Sequence, residues 1–327
     1  MARNQQSIED FRVQFLAPQV AAIRQHATAA LAEIRQAGIE TKHLVPFPLD
    51  RMERVAVAGL TGLSAELRTK LAGRGGKFAA AEVLATVFAV ADSVLAAEPA
   101  AQDTLLFAAR KLMYGVHMDI LRPLWRARAR RTKPTSLLYQ LKITLIGIEP
   151  AVWRRIQVKD CTLDKLHEYL QTVMGWTNSH LNEFQIDGQR YGDPELMEEN
   201  FAEMNYRDST ITLLSSVLSA DGKRFEFRYT YDFGDGWQHE VLFEGCPGFE
   251  KGQKYPLCVE GEHACPPEDV GGVHGYAEFL RTINSGEHTN RVEMLEWADG
   301  WFDPDEFDAT TATKSMWKGL PDWRNTA

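Results

Sequence analysis

The sequence predicts an α+β protein in which an N-terminal helical bundle precedes an α+β domain with an antiparallel sheet, and three observations carry that prediction. Through the first third, apolar residues recur at three- and four-residue steps, the period of amphipathic helices. Past residue 137 the period falls to two, most plainly where Phe225, Phe227, Tyr229 and Tyr231 alternate with Glu226, Arg228 and Thr230. The charge balance changes at the same place: residues 1–133 hold 19 Lys+Arg and 12 Asp+Glu, a net of +7, whereas residues 134–327 hold 17 and 33, a net of −16. A length of 327 residues also exceeds one ordinary core. We therefore expect a helical domain over 1–133 and an α+β domain over 137–327, with Lys133-Pro134-Thr135-Ser136 as the boundary.

In the helical half, Ser7 and Asp10 resemble a capping box, and Leu16, Val20, Ile23, Ala27, Leu31 and Ile34 then line one face of a helix that ends at Gly38. Pro46 and Pro48 interrupt the pattern; Asp50 with Glu53 resembles the next cap, and a second helix runs to Leu71. A third is predicted over 78–97, stopped by Pro99, and a fourth carries Leu105, Ala109, Leu112, Val116 and Ile120 on one face. Short connections between helices of this length fit a bundle. Two stretches imitate chemistry. Gly73-Arg74-Gly75-Gly76-Lys77 invites a phosphate-loop reading, but no predicted strand precedes it and no Ser or Thr follows Lys77, so it reads as a turn between helices. The basic run Arg122, Arg126, Arg128, Arg130, Arg131 and Lys133 reads as a solvated helix end that leads into the linker.

In the second half, residues 137–148 and 152–158 are predicted strands separated by Pro150. Thr162 can cap a helix whose Leu163, Leu166, Leu170 and Val173 share a face, ending near Gly175. His167 falls on that face and is expected to be a hydrogen-bonded core histidine. A strand over 181–186 and an acidic segment over 193–203 come next, and residues 276–283 and 292–298 look helical near the C-terminus. Trp153 and Trp176 are expected to seal the sheet against its helix.

The stretch from Tyr229 to His239 concentrates two carboxylates, an imidazole, two glycines and four aromatics. Asp235-Gly236 favours a tight turn, so residues 232–236 are predicted to join two antiparallel strands. On this reading Asp232 and Asp235 sit at a strand end above a core plug, Phe233, and share one site with His239, His180 and Glu268.

At this point a family resemblance becomes specific. Six motifs stand in order: Glu149-Pro150-Ala151-Val152-Trp153-Arg154-Arg155-Ile156, Leu166-His167, Met174-Gly175-Trp176, His180-Leu181, Tyr231-Asp232-Phe233-Gly234-Asp235, and Cys265-Pro266-Pro267-Glu268-Asp269-Val270-Gly271-Gly272. Together they resemble the plasmid pRiA4b ORF-3-like family over about residues 137–285. The resemblance implies an α+β domain met in plasmid and mobile-element genes, and it implies no particular activity. A resolvase-type label sometimes attached to such proteins is not carried over, because the nucleophile-and-arginine arrangement of a serine recombinase is not recognisable in this chain.

Two sets of ligand types compete for a metal ion. Cys258 and Cys265, with Cys246 or His263 nearby, offer the soft ligands zinc prefers, although the six-residue spacing is loose and Val270 stands where relatives often carry a further cysteine. The harder set, Asp232, Asp235, His239, His180 and Glu268, suits a divalent metal that activates water, and Asp269 beside Glu268 lies in an irregular loop suited to binding. Two functions follow. The first is a binding or accessory protein of mobile-element origin with an acidic, histidine- and aromatic-lined site, a protein partner engaging the helical domain. The second is a metal-dependent hydrolase using the Asp/His cluster. The first is favoured because no catalytic motif is complete.

Composition limits the rest. The apolar run over 79–97 contains Glu82 and Asp92, which a membrane span does not readily bury. The N-terminus lacks the order of a secretory signal, and four cysteines do not make a disulfide scaffold, so a cytoplasmic protein with reduced thiols is expected. Direct DNA binding by the second domain is disfavoured by its net charge of −16.

Overall fold

The computed structural model describes residues 2–36, 77–97, 99–129, 134–197, 206–219, 221–285, 288–298 and 300–320. The chain divides into two compact units, Met1–Thr132 with Met197–Tyr206, and Lys133–Leu196 with Arg207–Ala327. The helix predicted to end at Leu71, its cap at Asp50 and Glu53, residues 73–76 of the glycine-rich turn, residues 130–133 of the basic run and residues 198–203 of the acidic segment lie outside the described residues.

The first unit is helical. It contains α1 (Ala2–Gln36), α2 (Lys77–Val94), α3 (Pro99–Val116), a π-helical turn over His117–Leu121 and α4 (Arg122–Ala129). Leu16, Val20, Ile23, Ala27, Ala30 and Ile34 of α1 are buried in one cluster with Leu84, Val87, Val90 and Val94 of α2 and Ala109, Leu112 and Val116 of α3. The three- and four-residue steps read from the sequence thus mark the packed faces, with Ala30 taking the buried position expected of Leu31. Two boundaries differ from expectation. Helix α1 already runs at Ala2, so Ser7 and Asp10 lie inside it and do not cap it. Pro99 opens α3, where its missing N–H costs nothing, and the helix before it ends at Val94. In the π-helical turn, His117 is buried edge-on to Trp125, and burial pushes its pKa down to about 3.

The second unit is an eight-stranded sheet with helices. Its strands are β1 (Leu138–Leu145), β2 (Trp153–Lys159), β3 (Asn182–Ile186), β4 (Gln189–Gly192), β5 (Tyr206–Asp208), β6 (Phe225–Tyr231), β7 (Trp237–Gly245) and β8 (Leu257–Glu262), in the order β5-β4-β3-β6-β7-β1-β2-β8. The pairs β1–β2, β1–β7, β2–β8, β3–β4, β3–β6 and β6–β7 are antiparallel. Helix α5 (Leu163–Met174) is capped by the Thr162 hydroxyl, which accepts the Lys165 N–H, and stops at Gly175, whose φ of 98° only glycine adopts easily. The short helix α6 (Leu214–Val217) follows β5, and α7 (Gly272–Ile283), α8 (His288–Trp297) and α9 (Ala309–Lys318) follow the sheet. Among the described residues, no helix is long and apolar enough to cross a membrane.

Strand alternation sets the core. Phe227, Tyr229 and Tyr231 of β6 and Trp237, His239, Val241 and Phe243 of β7 all face inward. They pack with Leu166, Leu170 and Val173 of α5, the face that the helical spacing predicts. The same alternation overturns the expectation for Trp153. Its neighbour Arg154 takes the inward position, 2% exposed, which leaves Trp153 half-buried on the outer face under the Lys142 ammonium, 4.4 Å from the ring. Trp176, by contrast, is core, stacked on Tyr231 at 5.0 Å.

Candidate functional site

Turn chemistry fixes the first acid. Asp232 adopts a left-handed φ of 54°, which Asp tolerates better than most residues, and its Oδ1 accepts the Gly234 N–H at 2.9 Å. That bond commits one carboxylate oxygen to the β6–β7 turn and leaves Oδ2 facing His180 Nε2 at 3.6 Å. His180 lies in the connection between α5 and β3, and the same Nε2 meets Asp269 Oδ1 at 2.8 Å. Asp269 is left-handed too, with φ 57°, in the loop before α7. The ligand atoms of His180, Asp232 and Asp269 lie within 4.8 Å of one another. Among the described residues this is the group of three His, Cys, Asp or Glu side chains that converges in this way.

The loop carrying Asp269 is clamped to the turn. Asp235 Oδ2 accepts the Gly271 N–H at 3.0 Å, and a Cβ at Gly272 would lie 2.4 Å from the Asp235 carbonyl oxygen, so a side chain there has no room. On its other side, Glu268 accepts the Tyr231 hydroxyl at 3.0 Å and the Thr177 N–H at 2.8 Å. The Tyr231 hydroxyl in turn accepts the Ser179 N–H, and burial together with the adjacent Glu268 carboxylate raises its pKa, so it stays a donor. The Trp176 indole donates to the Pro266 carbonyl at 2.9 Å. Asp235 and Glu268 therefore act as struts of the corner, and the group that converges on one point is His180, Asp232 and Asp269.

His239 departs from the sequence expectation. It stands two residues after Trp237 on β7 and shares that residue's inward face, fully buried between Tyr229 at 5.2 Å and Trp176 at 5.4 Å. Burial pushes its pKa down to about 4, and its Nε2 has no partner among the described residues. Phe233 departs as well: it is 46% exposed at the tip of the turn rather than plugging the core. His167 is a core histidine as expected. Its Nδ1 lies 2.7 Å from the Tyr229 hydroxyl and its Nε2 2.8 Å from Asn178 Oδ1, which suits the tautomer protonated at Nε2.

The cysteine set is separate. Cys258 is buried in β8, its N–H bonded to Thr313 Oγ1 and its thiol pushed up to about 11 by burial. Cys265 keeps some surface as a residue, yet burial of its thiol pushes the pKa to about 12. Neither belongs to the converging group. Near both thiols lies the Arg154 guanidinium, which donates to the carbonyls of Trp153, Val173, Glu262 and His263. Sequence reasoning missed this buried cation, whose only sign is an arginine at an inward strand position. It also left the His180–Asp269 pairing unread, since the two lie far apart in the chain.

The sequence model of the plasmid pRiA4b ORF-3-like proteins matches residues 137–311. The chain belongs to that family. The match runs past residue 285, to which the sequence motifs reach, and takes in α8 and the start of α9. An uncharacterized protein of Sinorhizobium fredii, y4hQ, is 39% identical over 179 residues, which is 54% of this chain and 87% of that relative. The crystal structure of MM3350, a protein of unknown function from Methanosarcina mazei Go1, is similar at 36% identity over 53% of this chain and 96% of that one, with a TM-score of 0.47.

Proposed function

We propose that the second unit is a binding module of mobile-element origin, acting in a reducing cytoplasm, and that its site is a divalent-cation corner formed by His180, Asp232 and Asp269. One observation carries the reading: an imidazole nitrogen and two carboxylate oxygens lie within 4.8 Å of one another, with Asp232 Oδ1 holding the turn while its Oδ2 faces His180, and with the loop of Asp269 clamped through Asp235 and Glu268. An ion with bonds of about 2.0–2.2 Å to nitrogen and oxygen, such as zinc, would take the place of the hydrogen bond between His180 Nε2 and Asp269 Oδ1. Four cysteines without disulfides accord with the reducing compartment. The exposed Phe233 beside the corner offers an apolar contact to whatever the ion helps to hold. The helical unit, a separate folding unit on this reading, would engage a protein partner.

The test is metal content and isothermal titration of zinc and manganese into the full chain. Wild type should bind one ion per chain and gain thermal stability from it. Asp232→Asn and His180→Gln should stay folded and bind none; uptake unchanged in both would remove the proposal. Limited proteolysis should cut within residues 131–136 and leave two stable fragments.

A second reading, metal-dependent hydrolysis, draws support from one feature. The side chains of Asp269 and His180 are 67% and 31% exposed, which leaves the solvent side of an ion open for water. Turnover of a chromogenic phosphoester panel that needs added metal and vanishes in Asp232→Asn would favour it.

A further inference from the structure

The corner does not account for the groove beside it. Between α7 and α8 lies a cavity of about 630 Å³, in the size range of small-ligand and peptide side-chain sites. The buried Phe279 and the partly buried Met294 give it an apolar floor, and the exposed Trp297 lines it together with the acidic Asp269, Glu278 and Glu293. None of the described residues that line it is basic. Phe279 is buried and meets Trp297 edge-on at 6.1 Å, so it props up an indole that is itself 48% exposed. Glu293 stands four residues before Trp297, on the same side of α8, and has no partner among the described residues. Glu278 is paired with Arg281 one turn along its own helix.

The geometry points to a docking groove for a basic segment of a partner protein, one in which arginine or lysine side chains alternate with apolar ones. An exposed indole face flanked by carboxylates is the arrangement that attracts a guanidinium or ammonium group, by cation–π attraction and by charge together. This unit, residues 133–196 and 207–327, holds 18 Lys+Arg and 30 Asp+Glu, and its net charge of −12 would draw such a ligand from a distance. The apolar floor selects a peptide over a free polyamine. A peptide can set an apolar side chain on Phe279 and Met294 between its charges, whereas a polyamine spaces its charges along a single chain. The groove stands apart from the cation reading: the two share only Asp269, so either can fail without the other.

The experiment is fluorescence anisotropy with the full chain and a fluorescein-labelled peptide of alternating Arg and Leu, beside a peptide with Gln in place of Arg. The Arg/Leu peptide should bind and weaken as salt is raised, and the Gln/Leu peptide should bind at least about tenfold more weakly. Trp297→Ala should lower affinity about tenfold, and Glu293→Gln, a surface change that leaves packing intact, several-fold. Equal binding of both peptides, wild-type affinity in Glu293→Gln and Trp297→Ala, or displacement of the peptide by spermidine at matched charge would each overturn the proposal, the last in favour of a polyamine site.

Discussion

Two regions of the second unit hold the side chains that a metal or a reaction would want, and the fold treats them in opposite ways. Around Arg154, the thiols of Cys258 and Cys265 are buried and held protonated, and the Arg154 guanidinium is satisfied by four backbone carbonyls. At the β6–β7 turn, two carboxylates on left-handed backbone, Asp232 buried and Asp269 exposed, are brought together with the half-buried His180 imidazole. In the sequence both regions read as ligand sets. The difference teaches that ligand type is a weak guide until strand parity and loop docking decide which side chains reach solvent.

The largest expected effect is in the buried region. Arg154→Met strips four carbonyls of their donor, so a loss of about 3–5 kcal/mol in urea unfolding is expected, on the scale of breaking a buried charged interaction. Trp176→Ala should cost a similar amount, about 3–5 kcal/mol, whereas Trp153→Ala on the outer face should stay near 1 kcal/mol. A reversed order for the two tryptophans would put the core on the wrong side of the sheet.

Next in size is a pH effect from His239. Above pH 6.5 the ring is neutral in the folded and unfolded chain and contributes no pH dependence. As pH falls from 6.5 toward 4, the unfolded chain takes up a proton that the folded ring refuses, so stability declines. Below about 4 both forms are protonated and the loss is complete, about 3 kcal/mol in all. His239→Leu should remove this part of the acid destabilisation in stability measured across that range. An unchanged profile would mean that the ring is solvated or charged in the fold.

Gly272→Ala sharpens the comparison from the corner's side. A methyl group 2.4 Å from the Asp235 carbonyl oxygen at a φ of 67° must push the loop away, at about 1–3 kcal/mol. Metal affinity should fall with it, although no proposed ligand is altered. The smallest effect is thiol labelling. Zinc should leave alkylation of Cys258 and Cys265 unchanged under native conditions; protection of both by zinc would move the metal site into the buried region.

Much of the fold was legible because it follows from period. The helix over Leu163–Met174 was readable from Thr162 to Gly175, and the β6–β7 hairpin from its alternating aromatics. Parity could also have removed His239 from the site, since it shares a face with Trp237 and Tyr229 rather than with the turn between the strands. Phe233 was misread because an aromatic in a turn was assumed to need burial, while the turn is held by the Asp232 carboxylate and needs no plug. The His180–Asp269 contact was beyond reach, because it depends on docking a loop against a hairpin that no local pattern encodes.

The ends of the sheet have a consequence of their own. A strand at the margin of a sheet exposes a row of unused amide and carbonyl groups, an open template for another chain. Here one margin, β5, has three described residues, and the other, β8, gives the Cys258 N–H to Thr313 of α9 while the Trp317 indole caps the neighbouring Pro256 carbonyl. At β8 the helix takes up part of that template, which discourages the addition of a strand there.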